Sequence, residues 1–176
     1  MTEHGAASDD AGITLIEVIL YVLLSSLILI AVSMILITSL NTQRDVAGVT
    51  EATSRGQGMG AVIERALHNG LAFDVSADGT QLRVRTSLEG NLECQAFLLT
   101  DGQARMTQSA SAIPSDPSTW SNWEQNVLPD GAAPYFDATG SSVSYSFTIA
   151  TDSAPVRISG QAAVRAVATG VTAPCW

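Results

Sequence analysis

The chain has 176 residues, a formal net charge of −9 and a sequence pI of about 4.4, and all eight of its Lys/Arg positions are Arg. That balance excludes the basic face on which general electrostatic binding of nucleic acid depends. The lack of Lys excludes polymers joined through a Lys amine and phosphate-binding loops that end in Lys. Apolar residues make up 46 % of the chain, and many of them lie in one block, Ile13–Leu40. The remainder suffices for one modest core.

The first segment, 1–12, carries His4, Asp9 and Asp10 and no Lys or Arg. The next charge after Glu17 is Arg44. As a helix, the uncharged stretch from Val18 to Gln43 would extend about 39 Å, more than the ~30 Å hydrocarbon core of a bilayer. A transmembrane helix is predicted over 13–40. Ser25, Ser26, Ser33 and Thr38 are compatible with it, because a hydroxyl can bond back to a carbonyl one turn earlier. A cleaved secretory signal would have an apolar core of about 7–15 residues behind a basic start, and neither feature is present. An ordinary signal anchor has the right length. It gives no reason for Glu17, a carboxylate at the start of an otherwise uncharged span, where ionisable groups are costly.

Gly12, Ile13, Thr14-Leu15-Ile16 and Glu17, followed by the uninterrupted apolar helix, resemble the type IV pilin and pseudopilin family. The resemblance covers Gly12 to about Leu40, and the rest only in general plan. It implies a prepilin leader, 1–12, cut by a prepilin peptidase between Gly12 and Ile13. Ile13 would become the new N-terminus and be N-methylated. Glu17 would lie about 6 Å further along the helix, where its carboxylate could pair with the Ile13 ammonium of a neighbouring subunit. Each charge would relieve the other's cost in lipid and set the register between helices. The chain departs from the family in three ways. Its leader has Asp9 and Asp10 where Lys or Arg is common, Ile13 stands where Phe is common, and no Pro interrupts Ile13–Leu40, which favours a minor pilin or pseudopilin. Orientation follows from the motif; the charges do not supply it.

Beyond Leu40, Val46, Val49, Met59, Ile63 and Leu67 recur at near-helical spacing. They predict an amphipathic continuation of the same helix over 41–70, packed beneath a sheet and stopped near Asn69-Gly70. Gly48, Gly56, Gly58 and Gly60 weaken that helix by about 1 kcal/mol each relative to Ala, so a frayed segment or partial linker is an alternative.

The head, 71–176, reads as three antiparallel hairpins. Leu71–Ser76 and Gln81–Thr86 flank Ala77-Asp78-Gly79-Thr80, a turn marked by its Asp-Gly. Leu82, Val84 and Thr86 alternate with Arg83 and Arg85, which predicts one buried face and one solvated face carrying the Arg residues. Cys94–Thr100 and Ala104–Gln108 surround Asp101-Gly102. Ser142–Thr151 and Val156–Val167 surround Asp152-Ser153-Ala154-Pro155. Ser109–Gly140, with Pro114, Pro117, Pro129 and Pro134, reads as loop. Its Trp120, Trp123, Tyr135 and Phe136 either cap a small core or contact a partner. The expected fold class is α+β, a long N-terminal helix packed on a small antiparallel sheet.

In an exported head Cys94 and Cys175 read as one disulfide; in the cytosol they would be two unrelated thiols. Export, as the resemblance implies, favours the bridge. No metal site is expected from two distant Cys, and no cofactor. His68 would be the sole His of the cleaved chain. No Gly-x-Ser-x-Gly nucleophile elbow occurs, and no enzyme activity is expected. The expected role is a structural subunit, of the minor type, of a type IV pilus or pseudopilus. Its partners would be prepilin peptidase, other pilin subunits, the membrane and a pilus assembly platform, without direct nucleic-acid binding. The chain would be a single-pass inner-membrane protein with its head outside the cytoplasm, reaching the cell surface after assembly. The alternative is a membrane-anchored extracytoplasmic binding module that never polymerises.

Overall fold

A computed structural model of the chain describes residues 14–88, 91–164 and 175–176. The expected leader, 1–12, and Ile13 lie outside the described residues. The fold is α+β: one N-terminal helix, α1 (Leu15–His68), and antiparallel strands. Two compact units divide the chain, Met1–Arg44 and Asp45–Trp176.

In the first unit α1 is long and apolar enough to cross a membrane. Leu15, Leu29 and Ile35 are 82, 66 and 70 % exposed. Three of the four hydroxyls bond back: Ser26 Oγ donates to the Leu23 carbonyl at 2.8 Å, Ser33 Oγ to that of Leu29 at 2.7 Å and Thr38 Oγ1 to that of Met34 at 3.0 Å.

In the second unit α1 buries Ala52, Gly56, Met59, Gly60, Ile63, Ala66 and Leu67, the recurrence of one helical face. Met59, Ile63 and Leu67 were expected there, whereas Val46 is exposed and Val49 only half-buried. The helix is regular through all four glycines, so the alternative of a partial linker fails. Gly56 and Gly60 are packing positions. A Cβ on Gly56 would stand 2.5 Å from Ile158 Cγ1, and one on Gly60 would stand 2.5 Å from the Tyr145 hydroxyl. Gly48 and Gly58 face open space, and nothing in the structure requires them. The helix ends at His68, where Asn69 Nδ2 donates to the Arg65 carbonyl at 2.8 Å. The helix thus stops just before Asn69-Gly70, as expected, and Gly70, the last residue of the expected 41–70 segment, already belongs to the first strand. Close packing requires this glycine too: a Cβ there would meet the Leu67 carbonyl and Val164 Cγ1, each at 2.9 Å.

The strands are β1 (Gly70–Val75), β2 (Gln81–Leu88), β3 (Asn91–Thr100), β4 (Gln103–Ser109), β5 (Ser121–Gln125), β6 (Val127–Pro129), β7 (Phe136–Thr139), β8 (Ser142–Ile149) and β9 (Val156–Ala163). The three expected hairpins are β1–β2, β3–β4 and β8–β9. Gly79 takes a φ of +66° in the first turn, the conformation for which Asp-Gly is suited.

The single expected sheet is two. β1 to β5 form a five-stranded sheet in sequence order, and β8 pairs with β9 on one side and with β6 and β7 on the other. The difference comes from Ser109–Gly140, expected as loop, which supplies β5, β6 and β7. The chain leaves the first sheet for the second at Asn126, whose φ is +59°. There Asn126 N–H donates to the Gly102 carbonyl, and the Asn126 carbonyl accepts from Ala150 N–H, both at 2.9 Å. Leu82, Val84, Phe97 and Leu99 of the first sheet, Val143, Phe147 and Ile149 of the second, and Ile63 and Leu67 of the helix share one core. Arg55 of α1 also pairs with buried Glu124 of β5 at 3.1 Å.

Candidate functional site

The first candidate is the start of α1. Glu17 lies in its first turn and is half-buried, whereas every other described residue from Thr14 to Ala47 is exposed. The partner on its own helix is Tyr21, whose hydroxyl donates to Glu17 Oε1 at 3.0 Å. Residues four apart share a helix face, so this pair was readable from spacing. Gly12 and Ile13, the expected cleavage and methylation positions, lie outside the described residues.

The second candidate is the face of the five-stranded sheet that carries Arg83 and Arg85. Cys94 and Cys175 form a disulfide with Cα atoms 5.4 Å apart. Cys94 is directly opposite Arg85 in the β2–β3 register, and Arg85 Nη1 lies 3.2 Å from both sulfurs. Arg85 is only 5 % exposed. The expected solvated face is therefore covered here. Alternation correctly put Arg83 and Arg85 on one side, but Cys175 and Trp176 lie over it.

Arg83 pairs with Asp74 across β1–β2 and stands over the Trp176 ring, 5.5 Å from its centroid. Such a cation–π contact gains from the partial shielding of Arg83. The Cys175 carbonyl accepts from Ile113 N–H at 3.2 Å. Arg105 Nη1 donates to the Ser118 and Trp120 carbonyls at 2.9 and 3.2 Å. Trp120 Nε1 donates to the Pro114 carbonyl at 3.0 Å. These contacts decide between the two readings of the aromatics. Trp120, Tyr135 and Phe136 are buried, and Trp123 packs half-buried against Phe97 with ring centroids 5.4 Å apart. Tyr135 and Phe136 belong to the core and Trp123 packs on it, whereas Trp120 is buried outside it beneath the Pro114 segment.

A third cluster joins helix and second sheet. The Tyr145 hydroxyl donates to Glu64 Oε1 at 2.8 Å and lies between Gly60 and Gly160. Burial, and then the Glu64 carboxylate, push the Tyr145 phenol well above the ordinary tyrosine range. A phenol held this firmly in its protonated form is a structural donor rather than a base. His68 is exposed at the helix end. Among the described residues no three His, Cys, Asp or Glu side chains are grouped to hold a metal ion.

No family model, curated protein or solved structure matches this chain.

Proposed function

We propose that this chain is a structural, minor-type subunit of a type IV pilus or pseudopilus. The observation that carries this reading is Glu17: one carboxylate in the first turn of an exposed apolar helix that has no further charge before Arg44. In lipid such a group needs a cationic partner. Cleavage after Gly12 would create one, the Ile13 ammonium, on every subunit. Pairing between neighbours would then hold helices in register while the exposed Leu, Ile and Val side chains pack against one another. The disulfide supports a head outside the cytoplasm, because such bonds persist in oxidising compartments.

Intact mass of the membrane-extracted protein tests the reading. Loss of Met1–Gly12 and one added methyl on Ile13 are expected in cells that contain prepilin peptidase. A full-length, unmethylated chain in those cells would sink the subunit reading and favour a plain membrane-anchored module.

A further inference from the structure

We infer that Tyr21 is a positioning residue for the Glu17 carboxylate, an inference that rests on the subunit reading above. The observations are the 3.0 Å hydrogen bond from the Tyr21 hydroxyl to Glu17 Oε1 and the half-burial of Glu17 among exposed neighbours. Side chains on a helix lean toward its N-terminus. Tyr21 therefore reaches back onto Glu17, and Glu17 leans on toward the start of the helix. The phenol approaches the carboxylate from the C-terminal side. A carboxylate accepts several donors, so the bond leaves capacity for an ammonium arriving from the other side.

Two consequences follow in a bilayer. Before assembly, the hydroxyl gives Glu17 a charge-assisted hydrogen bond where no water is available. During assembly, the carboxylate already sits in one orientation, so less rotamer freedom is lost when the neighbouring amine docks. A Tyr ring suits this task because it has few rotatable bonds and an apolar body that lipid accepts.

Tyr21→Phe in the full chain keeps the ring and removes only the hydroxyl. Membrane insertion and leader cleavage should match wild type, while incorporation into filaments falls about tenfold. In a Glu17→Ala background the same substitution should change incorporation no further. The spectroscopic readout is the carboxylate stretch of Glu17 in the [13C]Glu-labelled chain in detergent micelles, with Glu17→Gln as the blank. Tyr21→Phe should shift that band. An unshifted band means the contact does not exist, and wild-type incorporation of Tyr21→Phe means it does not position; either overturns the inference alone. A wild-type chain that never enters filaments overturns the subunit reading and the positioning role together.

Discussion

The two units of this chain reach stability by opposite means. In Met1–Arg44 the helix bonds its own backbone and takes up hydroxyls such as Ser33 and Thr38, but it leaves its described apolar side chains exposed. Its hydrophobic free energy is available only from lipid or from other helices. Asp45–Trp176 buries most of its described large apolar side chains in one core and adds a covalent link between distant positions. The contrast teaches where apolar surface is left uncovered. The head is largely complete within one chain, and the N-terminal helix is not.

The largest expected effect is on the covalent link. Cys94 and Cys175 are 81 positions apart, and closing such a loop contributes about 4–5 kcal/mol in the chain-entropy model. Replacing both by Ser should lower the head's stability by about that amount, a large part of the ~5–15 kcal/mol typical of a domain. Urea unfolding in detergent micelles, followed by Trp fluorescence, measures it. The helical signal of 15–40 should survive the transition, because the carbonyls of that stretch bond to N–H groups no further along than Arg44. If it disappears with the head, the two regions are not independent and the contrast above fails.

Much of this division was legible because it is written in local chemistry. A charge-free apolar run, Asp-Gly turns and period-two alternation each act within about ten residues. The α+β class and the three hairpins followed from such signals; the Cys94–Cys175 pair followed instead from the presence of only two Cys and from the export that the resemblance implies. Three short strands in Ser109–Gly140 did not. β6 is only Val127–Pro129, too short to show a period, and Pro114, Pro117, Pro129 and Pro134 resemble loop punctuation. Arg85 was misplaced for a different reason. Its face was read correctly, but its cover comes from Cys175, and no local pattern announces a distant residue. Tyr21 was missed although its four-residue spacing from Glu17 was in plain view, because an aromatic in an apolar run reads as lipid contact.

A smaller effect sharpens the account of how helix and sheet are joined in the head. Removing the Tyr145 hydroxyl leaves Glu64 without its donor and should cost about 1–2 kcal/mol at neutral pH. Folding holds Tyr145 above the ordinary tyrosine value of 10.0, first through burial and then through Glu64. Its unfolded form releases a proton above about pH 10 and its folded form does not. Stability is therefore fully present below pH 10 and falls as pH rises beyond it. Tyr145→Phe should remove much of that fall. A residual fall belongs to Tyr135, also raised, mainly by burial. Equal alkaline slopes for wild type and Tyr145→Phe would show that the Tyr145–Glu64 contact does not join the elements in solution.

The smallest effects come from two glycines two positions apart, and their signs should differ. Gly56→Ala gains helix propensity of about 1 kcal/mol, but its methyl would stand 2.5 Å from Ile158 Cγ1, 2.7 Å from Ile158 Cδ1 and 3.1 Å from Ile149 Cδ1. Ile158 is buried and β-branched, so it cannot turn away freely. Overpacking costs about 1–3 kcal/mol, which outweighs the propensity gain, and the net expectation is a loss of about 1 kcal/mol. Gly58→Ala meets nothing within 4 Å, so only the propensity term acts and the head should gain up to about 1 kcal/mol. Urea midpoints of the two variants measured side by side decide it. Equal gains would mean that the helix does not press on Ile158 as described, and that the head's core extends less far along α1 than Gly56.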